Sequence, residues 1–333
     1  MDRSSSDAGR ADASIPVSVI IPVKPGGEVR ALSALRAATY PPELMEVLVA
    51  YGSAPSTQRN RAARQSQGEI LFFLDDDSRP VPGFIERALE QYRDPAVAAV
   101  GGPSLTPETD TPLQKTFAAA FASRFGGGGA RTRYLKFGEA RSTDDSELIL
   151  CNLSFRREVF LENGGLDERL YPNEENELMD RLQRQGLKLV HDPELAVTRS
   201  QRPTYRAFVK QMFGYGRGRG EQTVLAKGVK RVGAFAPSVF LIYLGVLALH
   251  PAPLLALPLL AYLLGVGMAS FVEAARVCDP ALGVRLLYVY PTLHLLYGAG
   301  VFRGLLFPRF RQKGRTAPNV EVAEVKPMGR TWS

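Results

Sequence analysis

Two acidic clusters hold the side chains best suited to chemistry in this chain. The first, Asp75-Asp76-Asp77, directly follows Ile70-Leu-Phe-Phe-Leu74; the second is Glu174-Glu175 within Tyr171-Pro-Asn-Glu-Glu-Asn-Glu-Leu-Met-Asp-Arg181. Adjacent carboxylates repel one another unless a cation neutralises them. Hard oxygen ligands suit Mg2+ or Mn2+, and such ions commonly carry substrate phosphates. Side chains alternate along an extended segment, so Asp75 and Asp77 point to one side and Asp76 to the other. A solvated turn leading to Pro80 and Pro82 would also account for the triplet. Its position argues for a site: residues 70–74 form an apolar run of strand formers too short for an ordinary helix, and ligands of open α/β sheets collect at the carboxyl ends of such buried strands. In the second cluster, Leu178 and Leu182 stand four apart around Asp180 and Arg181, which predicts an amphipathic helix ended by Gly186. Carboxylates at its start suit the helix dipole even without a function.

The elements that would position these clusters can be read in chain order. Residues 16–23, Pro-Val-Ser-Val-Ile-Ile-Pro-Val, are β-branched with proline at the edges and predict a first strand. A Lys24-Pro-Gly-Gly loop and a helical pattern over 29–38 follow, then a strand over 47–50, a basic helical segment over 58–64, the 70–74 strand, a helix over 82–92 and a strand over 96–101. This is the alternation of an α/β sheet. Residues 106–133 read as a long connection; Gly126-Gly-Gly-Gly129 lacks a preceding strand and is no phosphate-binding fingerprint. Strands over 148–155, 187–190 and 196–198 and a helix over 156–163 complete the pattern.

Composition bounds the rest. The 333 residues are 45% hydrophobic and 23% charged, enough for one large α/β domain and something smaller. Two cysteines, Cys151 and Cys278, exclude a disulfide framework, and three scattered histidines argue against a His/Cys metal site. The net charge of +7 gathers around residues 199–231 and 303–315, a placement that suits lipid headgroups and phosphates better than nucleic acid. Residues 1–14 are polar and small and read as a disordered tail without a signal peptide. Charges vanish from 232 to 272, where His250-Pro-Ala-Pro253 interrupts two apolar runs, each near the length of a membrane span. Lys227, Lys230, Arg231 and Arg276 flank this hairpin on one side, which places both ends in the cytoplasm. Residues 286–302 are a third apolar segment, able to span or to lie in the interface, and 308–333 read as a polar basic tail.

Gly68-Glu-Ile-Leu-Phe-Phe-Leu-Asp-Asp-Asp-Ser78 resembles the metal-binding Asp-x-Asp segment of the family-2 inverting glycosyltransferases, which have the GT-A nucleotide-sugar-binding fold. Other segments resemble the same family in the same order, over about two-thirds of the chain. Val19-Ile-Ile-Pro-Val23 is similar to the first strand, before the loop that wraps the nucleotide, which puts Pro22 and Val23 on the donor side. Glu46-Val-Leu-Val-Ala50 is similar to the second strand. Relatives end it in aspartates that contact the base, whereas Tyr51-Gly-Ser53 stands there in this chain, leaving the base open. Arg59 and Asn60 have the chemistry to compensate by holding phosphate and base edges; an exposed basic helix face would explain them equally. Asn152-Leu-Ser-Phe-Arg-Arg157 with Gly164-Gly-Leu-Asp167 resembles the segment beside donor and acceptor, implying acceptor-side roles for Asn152, Gly165 and Asp167. The 173–181 stretch resembles the Asn-Glu-Asp-x-Glu-Leu-x-x-Arg motif, whose aspartate is the base. Glu175 falls at that place, one methylene longer, with Glu174 beside it on the acceptor side. Residues 204–220, aromatic and basic, read as an amphipathic interface helix; Gln211, Tyr215 and Arg217 match in kind the residues bordering the family's acceptor site. The Gln-x-x-Arg-Trp form of processive synthases is absent, so addition of single sugars is expected.

The expected protein is therefore an α/β GT-A, Rossmann-like domain over 15–200, a basic interface segment over 201–231 and two to three transmembrane helices over 232–307. The resemblance implies a multi-pass hexosyltransferase of the inner, cytoplasmic membrane, its catalytic domain facing the cytoplasm. It would move a sugar from a nucleotide-sugar to a lipid-linked or glycan acceptor. Asp77 and Asp75 would hold Mg2+ or Mn2+, with Asp75 and Asp76 on the donor side and Glu175 as base. The rival readings are a sugar-phosphate nucleotidyltransferase, disfavoured by the short Lys24-Pro-Gly-Gly loop, and a non-enzymatic membrane scaffold keeping a degenerate transferase domain.

Overall fold

The computed structural model describes residues 15–226, 232–311 and 319–332. The expected tail over 1–14 and the basic flank at Lys227, Lys230 and Arg231 lie outside the described residues. In chain order the elements are β1 (Val17–Val23), α1 (Ala31–Arg36), β2 (Met45–Tyr51), α2 (Pro55–Gln65), β3 (Ile70–Leu74), β4 (Arg79–Pro80), α3 (Phe84–Gln91), β5 (Val97–Gly101), β6 (Ser104–Leu105), α4 (Pro112–Ala122), β7 (Arg141–Thr143), β8 (Asn152–Arg156), α5 (Arg157–Glu162), α6 (Glu174–Arg184), β9 (Lys188–His191), β10 (Val197–Thr198), α7 (Tyr205–Ala226), α8 (Ala236–Leu249), α9 (Pro253–Val277), α10 (Pro280–Leu306) and β11 (Glu321–Lys326).

Eight strands form one mixed sheet in the order β11-β2-β1-β3-β8-β5-β9-β7. The parallel trio β2-β1-β3 lies beside β8, which runs antiparallel to both β3 and β5. Alternation along the strands builds a core on each face. Val17, Val19, Ile21, Ile70, Phe72 and Leu74 pack on one side against Leu35, Phe84 and Leu89 of α1 and α3. Ile20, Leu71 and Phe73 pack on the other against Phe160, Leu178 and Leu182 of α5 and α6. Both faces of the central strands are covered, which is why residues 70–74 are continuously apolar rather than alternating.

Two departures from the sequence reading and one close helix contact matter for the site. The 106–133 connection contains α4, started by a capping box in which the Thr111 hydroxyl and the Gln114 side chain satisfy each other's backbone N–H groups. The 308–333 tail is corrected: residues 321–326 form β11, antiparallel to β2 at the sheet edge. Val320 and Val322 join one core and Val325 the other, and the buried Lys326 amine donates to the carbonyls of Pro42 and Met45. The expected helix over 204–220 is present as α7, which runs on to Ala226 and carries the glycines over 214–220 in its interior. Gly216 and Gly220 meet the carbonyls of Tyr297 and Val301 on α10, and Gly300 and Gly304 meet those of Phe213 and Arg217, so closely that a Cβ on any of the four would overlap backbone. Small residues on both helices bring their axes together.

Among the described residues two helices, Val232–Leu249 and Pro253–Val277, are long and apolar enough to cross a membrane. They expose Val239, Ile242, Leu260, Leu264 and Phe271. The third apolar segment, α10, packs its Leu286, Val289 and Tyr290 into a cluster with Phe117 of α4 and Phe208 of α7.

Candidate active site

The carboxyl ends of β1, β2 and β3 meet at one edge. Register pairs Pro22 with Ala50 and Val23 with Tyr51, and Gln58 of α2 donates its amide to both Val23 O at 2.9 Å and Ala50 O at 2.5 Å. Gln58 thus ties the two expected donor-side strand ends together, a role the sequence did not suggest. β3 ends in a turn closed by Ser78 N to Asp75 O at 3.0 Å, with the Ser78 hydroxyl anchored on Cys151 O at 3.1 Å. Beyond the turn β4 pairs with β10, Thr198 opposite Arg79, and this pairing delivers Arg199 to the acidic cluster.

Arg199 lies between the two same-side carboxylates, 3.0 Å from Asp75 Oδ2 and 2.8 Å from Asp77 Oδ1. Arg59, buried rather than on an exposed face, donates to Asp75 Oδ1 at 2.6 Å and stands 3.6 Å from Glu174 Oε1. Arg59 therefore connects the end of β3 to the start of α6. Burial pushes the Asp75 carboxyl up, but Arg199 and then Arg59 outweigh it and hold it below the usual carboxylate range. Asp76 is raised, by burial first and then by Asp77 and Asp75. Glu174 is raised as well, by burial and then by the adjacent Glu175.

Glu175 itself is 9% exposed. Among the described residues no other side chain hydrogen-bonds or ion-pairs with its carboxylate. The acidic turn preceding α6 is set by Asn173, at φ 88°, whose amide donates to Gln222 of α7 at 3.0 Å. Between the Asp-rich turn and α7 lies a cleft lined by Arg199, Arg202, Tyr134, Ile149, Gln211 and Tyr215. Gln211 donates to the Tyr215 hydroxyl at 2.8 Å.

Several expected contacts are committed elsewhere. Asn60 donates to Leu166 O at 2.8 Å and Glu168 Oε1 at 3.0 Å and accepts from Leu166 N at 2.9 Å, so its amide shapes the turn at Gly164 and Gly165 instead of reaching a donor. Gly165, at φ +69°, lies against Asn60 Oδ1, where a Cβ would approach to 2.5 Å. Asn152 donates to Leu195 O at 2.6 Å and holds β8 to the neighbouring loop. Asp167 is held by Arg169, Nη2 to Oδ2 at 2.6 Å. Arg217 faces Glu221 within α7, Nε to Oε1 at 4.0 Å.

A profile of the glycosyl transferase family group 2 matches residues 70–299, more than two-thirds of the chain. The chain belongs to this family. Pre-mycofactocin glycosyltransferases from two strains of Mycobacterium tuberculosis, CDC 1551 / Oshkosh and ATCC 25618 / H37Rv, are each 27% identical to it over 168 residues, covering 50% of this chain and 34% of theirs. The chain thus spans about a third of the length of the curated relatives it matches. A mannosyltransferase of Pyrobaculum calidifontis, solved with GDP-Man and Mn2+, superposes with a TM-score of 0.54 over 91% of both chains at 16% identity. The family-2 chain therefore has the GT-A-like mixed α/β fold that the Asp-rich motif implied. The residue the motifs did not reveal is Arg199: it follows a two-residue strand amid other basic residues, and only the β4-β10 pairing shows what it meets.

Proposed function

We propose that this family-2 protein is an inverting glycosyltransferase that moves a hexosyl group from a nucleoside-diphosphate sugar to the hydroxyl of a lipid-linked or glycan acceptor at the cytoplasmic face of a membrane. The observation that carries the reading is the Asp75-Arg59-Glu174 connection, which joins the acidic end of β3 to the helix start bearing the unengaged Glu175.

Asp75 and Asp77 have the hard-oxygen chemistry that a divalent cation takes, and both now pair with the Arg199 guanidinium; among the described residues no larger group of His, Cys, Asp or Glu is gathered with them. Asp77 and Asp75 would hold Mg2+ or Mn2+, which when bound would neutralise charge on the donor diphosphate. The chain's own residues account for the rest. Glu175 accepts the proton of the acceptor hydroxyl as its oxygen bonds to the anomeric carbon; the bond from that carbon to the diphosphate oxygen breaks, and the electron pair leaves with the diphosphate. One displacement without a covalent intermediate inverts the anomeric configuration. Arg199, Arg59 and Arg30 surround the acidic turn with fixed positive charge, which favours the departing anion. The exposed apolar faces of α8 and α9 support a membrane hairpin, and the cleft beside Gln211 and Tyr215 opens next to α7, the helix that leads into it.

The test is to incubate the full-length protein in detergent with Mn2+ and a panel of UDP- and GDP-sugars, following release of nucleoside diphosphate. Release with one donor and a product of inverted configuration is expected. Absence of release with every donor would favour the scaffold reading, and a retained configuration would remove the single displacement.

A further inference from the structure

The three residues preceding Glu174 are gripped by the C-terminal half of α7 and by the chain just beyond α10. Glu221 of α7 is fully buried. It accepts from Arg309 three times, from the backbone N at 2.9 Å and Nε at 3.1 Å on Oε1 and from Nη2 at 3.2 Å on Oε2. The same Arg309 Nη2 donates to the carbonyl of Tyr171. One turn position on, Gln222 Oε1 accepts from Asn173 Nδ2 and from Arg219 Nη1, both at 3.0 Å. Gly218 lies so close to the Pro172 carbonyl that a Cβ there would overlap it. Residues 171, 172 and 173 are thus each held from the α7 side.

A buried ion pair is weak as a source of stability, because desolvation offsets most of the attraction; removing one partner is far costlier than the pair is worth. Its usefulness here lies in geometry. Arg309 offers a planar fork that fixes direction as well as distance, and it joins three pieces of chain: α7, the segment after α10 and the turn before α6. We propose that Glu221 and Arg309, with Gln222, form a positioning clamp that sets the 171–173 turn and thereby the reach of Glu175 toward the acceptor hydroxyl. The inference rests on the reading of Glu175 as base. Through the glycine faces of α7 and α10, the clamp also makes placement of that carboxylate depend on the packing of the helices that adjoin the membrane segment.

The test uses full-length protein in detergent, with Glu221→Gln, Arg309→Lys and Arg309→Met assayed beside Glu175→Gln. Glu221→Gln should lower kcat about tenfold, since small displacements of a reacting group are costly. Its affinity for UDP and GDP with Mn2+, measured by titration calorimetry, should stay within about twofold of the parent. Arg309→Lys should recover part of the kcat lost in Arg309→Met, because the ammonium keeps the charge without the fork. Adding Glu221→Gln to Glu175→Gln should lower turnover no further, as expected of residues acting as one unit. Parent-like kcat in Glu221→Gln while Glu175→Gln is inactive would overturn the clamp alone. So would a parallel fall in kcat, nucleotide affinity and melting temperature, the mark of general unfolding. Full activity in Glu175→Gln would instead overturn the base assignment beneath it.

Discussion

At the mouth of the sheet Arg199 lies between Asp75 and Asp77, whose side chains remain 21% exposed, as does that of Arg199. At the end of α7 Arg309, itself 23% exposed, meets Glu221, whose side chain has no exposure at all. The two places use the same chemistry in different surroundings. Around the Asp-rich turn Arg199 and both of its carboxylates keep some contact with solvent, so exchanging those partners costs less than it would around a fully buried charge. Around Glu221 the carboxylate has already given up its water, and exchange would leave a charge unpaired in a dry site. The Asp-rich cluster is the more yielding of the two, the Glu221 cluster the more fixed.

Substitutions that break this contrast are ordered by size. Asp77→Asn should abolish transfer together with the Mn2+-dependent part of nucleotide affinity, read by titrating UDP and GDP with and without Mn2+; unchanged affinity would assign Asp77 a purely structural role. Glu175→Gln keeps shape and hydrogen bonding while removing the charge, so turnover should fall by roughly 10²-fold with nucleotide affinity preserved. Glu175→Asp restores the family's residue but shortens the reach, and should retain activity reduced by about tenfold; full activity would show that the turn tolerates either length. The stability comparison runs the other way. Arg309→Met strips the fully buried Glu221 carboxylate of its main partner and should destabilise by about 3–5 kcal/mol, whereas Asp77→Asn should change stability by about 1 kcal/mol or less. Denaturant unfolding of both variants decides it, and equal losses would erase the distinction between a yielding and a fixed cluster.

Much of this organisation was legible in the residues. The triplet at 75–77 could be placed because it terminates a strand buried on both faces, and Glu174-Glu175 because an amphipathic pattern begins there. The side chains that link them were not legible, since the link depends on Arg59 reaching both clusters and Arg199 meets Asp77 from 122 positions away. Asn60 and Asn152 show the opposite failure. An amide can serve a ligand or a backbone carbonyl equally well, and only the fold shows that both serve backbone. The glycines of α7 fell within the expected helix, but their purpose was not legible: each costs about 1 kcal/mol in a helix interior, a penalty that the close approach of α10 offsets. β11 escaped notice because Glu321-Val-Ala-Glu-Val-Lys326 mixes charged and apolar residues without a strand's alternation and carries a register shift at Glu324 to Lys326, so it reads like a solvated tail.

The edge strand constrains what the apolar helices can do. The chain leaves the sheet domain through α7 and re-enters it at β11, which is hydrogen-bonded to β2. Everything between, from α8 to α10, is a loop whose two ends are fastened to one rigid body. A closed excursion of that kind obeys a parity rule: if it passes through a bilayer, it must do so an even number of times. If α8 and α9 make one outward and one return passage, α10 is left on the near side, where its glycine face lies against α7.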